Sequence, residues 1–416
     1  MTINNEHKKL NVPNLRFKEF EGEWEKCKLG ELTTKVGSGS TPKGGNAVYT
    51  SVGHCFVRSQ NVGMGFLILD DIAHIDDDIH QKHKATELSE DDVLLNITGA
   101  SIGRTAIATK EIEGGNVNQH VCIIRANSKV SPKFLCNYIQ TKKIQNYIRS
   151  LQTGGSREGL NFEQIRSFPI SLPSIAEQNK IAQLLDKLNE RIATQNKIID
   201  KLQSLIKGLE DNLLDNPLWE KTYLRSFMQF FPTNSLSWEQ LGYKEGAIRN
   251  LHYGLIHSFQ TRGINSASLP MIKNEAVPKQ YVLCQVGDVA FADASEDTGE
   301  IAKSVEFVDT IEGDTICGLH TIHGRDIKNR TVVGFKGFAF NSRYFHNQIK
   351  RLAQGTKVFS ITANNLSSCY VYLPDLEKQK AIVKLLRFYE EQLIIGRMIL
   401  KQYEKQKQYL LRQMFI

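Results

Sequence analysis

The chain has 416 residues and a mass of 47.1 kDa, with 41% hydrophobic and 23% charged residues. Those proportions exclude fibrous and disordered chains, and the length asks for two to four structural units of ordinary domain size. A formal charge of +7 permits an anionic partner without demanding one. No apolar run reaches the roughly 18 residues of a bilayer-spanning helix, and residues 1–9 hold no apolar stretch of signal-peptide type, so a cytoplasmic location is expected. Seven scattered cysteines without a C-x-x-C pair suggest neither a disulfide framework nor a zinc knuckle.

In chain order, residues 92–98 (DVLLNIT) read as a buried strand, 99–104 as a turn and 105–108 as a return strand. Residues 121–124 form a further strand, and 132–148 have helical spacing through Phe134, Leu135, Tyr138, Ile139, Ile144 and Ile148. From Ile181 the chain steps by four and three through Leu185, Leu188, Ile192, Gln195, Ile199, Leu202, Ile206, Leu209 and Leu213, a heptad seam with one polar member. A second globular stretch has strands expected at 288–291, 304–308 and 331–340 and a helix at 342–352. The chain closes on a second seam, Ile382, Leu386, Tyr389, Leu393, Gly396, Leu400, Tyr403, Lys407, Leu410 and Met414. Two matched seams are expected to pair with each other; the alternative is that each helix packs its stripe on its own globular unit.

The order of these elements is an internal repeat. Residues 150–214 align without gaps with 351–415 at an offset of 201, matching Leu151 with Leu352, Gly154 with Gly355, Leu172-Pro173 with Leu373-Pro374, Gln178 with Gln379 and Leu184-Leu185 with Leu385-Leu386. Upstream the match is looser: Trp24 answers to Trp238, Asp92-Val93 to Asp288-Val289 and His120 to His320. The organisation expected is a tail (1–23), a globular unit (24–172), a helix (173–215), a connection (216–237), a second unit (238–372) and a terminal helix (373–416). This is an α+β fold of two tandem mixed α/β domains, each followed by a long helix. Under pseudo-twofold symmetry the helices pair as an antiparallel coiled coil that holds the domains at opposite ends of a rod. Ile181 to Leu213, roughly 33 residues, gives a spacer of about 50 Å, comparable with the roughly 34–36 Å repeat at which recognition modules sit on DNA, or a multiple of it.

Two diverged globular units, each followed by a Leu-Pro-led helix carrying Gln178 or Gln379, resemble the specificity (S) subunits of Type I restriction-modification enzymes. The first unit opens on Trp24-Glu25-Lys26-Cys27-Lys28-Leu29-Gly30 and residues 37–43 (GSGSTPK), similar to that family's usual start, as are 58–62 (RSQNV) and 92–104. In the second unit, 248–254 (IRNLHYG) and 287–297 resemble one subtype of its recognition domains. The resemblance implies that the globular units are target recognition domains, each reading half of a bipartite double-stranded DNA site. It implies that the helices are spacer and docking surface for two methyltransferase subunits, which in turn carry restriction motor-nuclease subunits. S-adenosylmethionine, ATP and Mg²⁺ would then belong to those partners, with no cofactor in this chain.

Residue chemistry points to base reading at several places. Arg suits guanine O6/N7, and Asn or Gln suit adenine N6/N7. Arg58, Gln60 and Asn61 form one cluster and Asn118, Gln119 and His120 another, with Ser101 and Arg104 in the intervening turn. Arg249, Asn250, His252, Tyr253 and His320 are the candidates in the second unit. Arg157 and Lys357 follow matched Gly-containing loops and suit phosphate contact. The competing reading is that these Asn and Gln residues satisfy local backbone and the glycine loops are plain turns. Asp70-Asp71 and Asp76-Asp77-Asp78 would repel DNA and are expected to face away from it, or to be only a solvated surface. The terminal helix, with nine Lys or Arg against four Glu from Glu377 onward, holds the basic excess.

Catalytic readings lack parts. Asn216-Pro217-Leu218-Trp219 misses the second proline of an adenine-methyltransferase motif, and no glycine-rich cofactor loop accompanies it. Pro374-Asp375 with Glu377 and Lys378 lacks nuclease spacing, and Asp375 is better explained as a helix N-cap. Residues 37–45 never give the Gly-Lys-Ser/Thr of a P-loop. His80 with His83, and His320 with His323, have metal-ligand spacing but no further ligands nearby in sequence, so no metal is expected. The expectation is a non-catalytic DNA-recognition subunit, against a duplicated coiled-coil scaffold that binds protein.

Overall fold

The computed structural model describes residues 10–152, 159–259, 261–309, 311, 313–355 and 357–416. It divides into two units, Met1–Asn196 with Met398–Ile416, and Lys197–Arg397. The division passes through both long helices, Ile175–Leu214 and Leu376–Gln413.

In the first unit an antiparallel sheet runs in the order Thr33–Ser38, Val121–Ala126, Val93–Asn96, Thr105–Ile107. Val93–Asn96 is buried throughout, as the apolar run Val93-Leu94-Leu95 requires of a central strand. A smaller sheet joins Ala73–Ile75, His54–Val57 and Asn116–Val117, the last pair parallel. Glu25–Lys28 and Pro169–Leu172 form a separate antiparallel ribbon, so the chain enters and leaves the unit on neighbouring strands.

The second unit repeats the plan. Its larger sheet orders Met228–Phe231, Thr321–Asp326, Val289–Ala292, Ser304–Phe307 and Gly263–Ile264. Its smaller sheet pairs Ile248–Leu251 in parallel with Asp314–Cys317, and Glu220–Tyr223 forms the closing ribbon with Tyr370–Leu373. Two clamps recur with matching geometry. Arg125 reaches Asp92 through Nε and Nη2 at 2.7 Å each, and Arg325 reaches Asp288 at 2.8 and 2.7 Å. Burial opposes ionisation of Asp288, yet Arg325 and His323 hold its carboxyl below the ordinary range. At the foot of the helices, Gln178 accepts from Ser131 N–H at 2.8 Å and donates to the carbonyls of Lys129 and Pro173. Gln379 does the same with Val332, Arg330 and Pro374.

The helices pair and also complete the domain cores. Ile181, Leu185 and Leu188 near the start of the first helix share a buried cluster with Leu410, Leu411 and Met414 near the end of the second, over Phe134, Tyr138 and Phe168. In the second unit Leu214, with Leu209 and Leu213 beside it, shares a cluster with Ile382, Val383 and Leu386 over Phe335, Phe338 and Phe345. Start against end means that the helices run antiparallel. Both expected packings therefore hold at once, each fully buried leucine contributing about 1.5–3 kcal/mol. Ile199 and Leu393 are buried as well, and Ile192, Leu202, Tyr389 and Leu400 partly so. Asp375 Oδ1 accepts from Lys378 N–H at 2.9 Å, a helix cap.

Several expectations need correction. The connection 216–237 carries two strands of the second unit, so that unit begins near Trp219 rather than 238. The partner of Trp24 is Trp219: residues 24–26 and 219–221 read Trp-Glu-Lys in both and lead into equivalent ribbon strands. Trp238 instead starts a short turn. The tail is no free appendage over its described part, because Arg16 makes a paired contact of 2.8 Å per bond with the buried carboxylate of Glu177. Residues 331–340 form a helix at Phe335–Ala339, entered through Gly334 at φ +94°, where an apolar run was ambiguous between strand and helix. The helix expected over 132–148 breaks into Pro132–Ile139 and Lys142–Gln152, with Thr141 Oγ1 donating to Tyr138 O at the joint.

Gln178→Leu removes the partner of three backbone groups, one bond buried and two part-buried, and is expected to cost about 2 kcal/mol in urea unfolding, with Gln379→Leu comparable. Gln195 is buried at a seam position between Ile192 and Ile199, so Gln195→Leu is expected to raise Tm by roughly 2–4 °C in calorimetry.

Candidate nucleic-acid interface

The parallel strand pair in the smaller sheet of each unit decides where the candidates lie. Two parallel strands end at the same sheet edge, so whatever follows them emerges side by side. In the first unit Val57 is in register with Val117, which delivers Arg58–Asn61 and Asn118–His120 to one edge, tied by Asn118 N–H to Val57 O at 3.1 Å. Asn96 Nδ2 donates to Ser59 O at 2.8 Å, and Ile97 N–H donates to His120 O at 3.0 Å. These bonds bring the 99–104 turn, with Ser101 and exposed Arg104, to the same edge.

Within this group the roles divide. Asn61 is buried; its Oδ1 accepts from Arg58 N–H and its Nδ2 donates to Ile68 O and Asp71 O. Asn118 is also buried and accepts from His120 N–H. For these two the local-backbone reading is correct. Arg58 Nη2 donates to Asp71 O at 2.9 Å and lies 3.3 Å from its Oδ2, while Gln60 Nε2 donates to the same Oδ2 at 2.7 Å. Asp71 therefore sits beside these candidates with its side chain largely exposed, in line with the solvated-surface alternative rather than with an edge turned away from them. Gln119 is exposed between Thr41 Oγ1 and His120 Nε2, and His120 Nδ1 meets Thr98 Oγ1 at 2.6 Å. Sequence reasoning did not place Asp71, Thr41 and Thr98 in this group, since the hydrogen bonds that recruit them join residues distant in the chain.

The second unit presents the same edge. Leu251 is in register with Cys317, so His252-Tyr253 emerge beside Gly318–His320, and Tyr253 N–H donates to Leu319 O at 3.2 Å. Trp238, His252 and Tyr253 stack in sequence at 4.5 and 4.7 Å, and Tyr253 meets His320 edge-on at 5.3 Å. Burial, then the neighbouring His320, lowers the pKa of His252, which keeps Nδ1 free to accept from Gly254 N–H at 3.2 Å. His320 occupies a left-handed backbone position at φ +54° and lies 3.0 Å from Asp293 Oδ1. Asn250 is fully buried and accepts from Asn234, and Arg249 Nη1 donates to the carbonyls of Ala267 and Leu269. Neither points to an outward role, whereas Trp238 at the half-exposed end of the stack does.

Lys357 is exposed, and Arg157 lies outside the described residues. The histidine pairs do not converge. His80 stacks on His54 at 3.7 Å and bonds Asn116, while His83 bonds Ser40. His320 is half exposed on Asp293, and His323 is buried on Asp288. Among the described residues no helix is long and apolar enough to cross a membrane.

Residues 21–204 match the family model of the Type I restriction modification DNA specificity domain. The chain is 23% identical to the putative type I restriction enzyme MjaX specificity subunit of Methanocaldococcus jannaschii, over 96% of this chain and 95% of that protein. It is 24% identical to the MjaVIII specificity subunit of the same organism, over 78% of each. Its fold matches the crystal structure of the Type I system S subunit from M. genitalium with a TM-score of 0.62 at 14% identity, covering 97% and 99% of the two chains. A chain from a structure titled for complex assembly and conformational transition of the type I R-M system matches at 0.53 and 15% identity, covering 93% and 96%.

Arg58→Ala with Gln60→Ala is expected to weaken binding at one half-site by about 1–3 kcal/mol. Asp71→Ala is expected to strengthen binding, most at low salt, by removing one negative charge from that edge. Fluorescence anisotropy on duplex DNA across a salt series checks both.

Proposed function

We propose, for a chain that belongs with the specificity subunits of Type I restriction-modification systems, that each α/β unit reads one half of a bipartite DNA target. The observation that carries this reading is the duplicated edge: a parallel strand pair in the smaller sheet of each unit, on matched frameworks, ending in Arg58, Gln60, Gln119 and His120 in one and in His252, Tyr253 and His320 in the other, where Trp238 packs on His252. A common framework with different side chains at its edge suits two half-sites of different sequence. Arg104 and Lys357, exposed cations, suit phosphate contact, which positions a protein without reading bases.

The long helices set the half-site spacing and dock two methyltransferase subunits. Exposed apolar side chains on them, among them Ile198, Leu205, Leu385, Phe388, Ile395 and Met398, support a protein-binding role. The chain itself is non-catalytic: S-adenosylmethionine, ATP and Mg²⁺ serve the methyltransferase and the motor-nuclease subunits that join through it. Adenine methylation and restriction are thereby directed to one site in the cytoplasm.

Co-expression with its methyltransferase subunit, followed by sequencing of host DNA for modified bases, tests the reading. Adenine methylation confined to two short defined blocks around a fixed undefined gap is the expected result. No new methylation from a soluble assembled complex would favour the protein-binding scaffold.

A further inference from the structure

Behind the reading edge of the second unit lies a group that the DNA reading does not use. Cys284, in the loop before Val289–Ala292, Cys317, at the end of Asp314–Cys317, and His323, within Thr321–Asp326, are all buried. One ligand atom from each falls within 4.8 Å of the others, and the two Sγ atoms are 3.6 Å apart. Two sulfurs on one tetrahedral Zn²⁺, with Zn–S of about 2.3 Å, stand about 3.8 Å apart. His323 is placed as metal-ligating histidines usually are: Nε2 lies 2.7 Å from Asp288 Oδ2, which fixes the ring, and Nδ1 has no hydrogen-bond partner.

The first unit supplies an internal control. Leu88 N–H donates to Gly115 O at 2.8 Å, as Cys284 N–H does to Thr315 O. Ile123 faces Leu94 across the sheet, as His323 faces Ala290. Val57 pairs with Val117, as Leu251 pairs with Cys317. The positions of Cys284, Cys317 and His323 are thus held in the first unit by Leu88, Val117 and Ile123, all members of one apolar cluster. The framework closes with aliphatic residues there, and a buried imidazole with an unpaired nitrogen costs about 1–3 kcal/mol by comparison.

We propose that Cys284, Cys317 and a ring nitrogen of His323 bind a thiophilic divalent cation of the Zn²⁺ class, with Asp288 orienting the histidine and one coordination position left for water. Both thiols bind as thiolates and release their protons to solvent. The ion would pin the loop at Cys284 to the strands on either side of His320, spanning the larger and smaller sheets of the unit. This reading stands independently of what the edge recognises.

The test is metal content of the full-length chain, purified without chelator and counted by mass spectrometry. About one Zn²⁺ per chain is expected, with Co²⁺ in its place giving thiolate-to-cobalt charge-transfer absorption. The triple variant Cys284→Leu, Cys317→Val, His323→Ile copies the first unit's residues and is expected to keep the wild-type circular dichroism and to lose the ion. The proposal fails if the wild-type chain takes up neither Zn²⁺ nor Co²⁺ with that signature, if the triple variant retains as much metal, or if alkylation after denaturation finds Cys284 and Cys317 joined as a disulfide. Should the triple variant not fold, the cobalt spectrum of the wild type and its loss in Cys284→Ser decide the matter.

Discussion

A buried side-chain amide fastens each long helix to its domain. Gln178 and Gln379 each bridge one N–H and two carbonyls on the chain segments that meet at the helix foot. An amide presents a donor pair and an acceptor in a fixed plane, so it sets direction as well as distance. With the foot so held, the first turns of the helix enter the domain core, and the end of the other helix finds its place beside them. The closing ribbons end at that anchorage, since Leu172 and Leu373 lead through Pro173 and Pro374 into the helices.

The candidate surface is internally satisfied in a way that bears on how it recognises anything. Arg58 and Gln60 share Asp71, Gln119 lies between Thr41 and His120, and His320 rests on Asp293. On the proposed reading, each bond to a base would replace a bond already made, so the net gain per contact would be small. Selectivity would then come chiefly from the cost of breaking these bonds for a wrong base. The acidic partners would also hold down attraction to arbitrary DNA, which a row of free cations would raise.

Much of this was legible in the sequence where one physical period or one covalent neighbourhood carried it. The seams showed because helical burial repeats every three to four residues, and the glutamines showed because they lie at a fixed distance after Leu-Pro. The central strands at 93–96 and 289–292 showed because both faces are buried. What escaped depended on contacts distant in the chain. The strand Glu220–Tyr223 is short, half exposed and polar, and only its pairing with Tyr370–Leu373 makes it a strand, so Trp238 was taken for the partner of Trp24 in place of Trp219. Asp71 joined the candidate group through loop closure, and Cys284 met Cys317 from 33 residues away in the chain. Asn61 and Asn118 drew attention by residue type, yet their burial assigns them to the backbone.

The closing ribbons have a consequence for how such a chain changes over generations. Glu25 lies opposite Leu172, and Glu220 opposite Leu373, so everything between the two strands of a ribbon is a single insertion hung from one pair of adjacent ends. A foreign insertion with the same two strands and the same glutamine socket would close onto the same helices without repacking them. Recombination at the ribbons would therefore exchange a whole insertion between chains and leave the paired helices as they were.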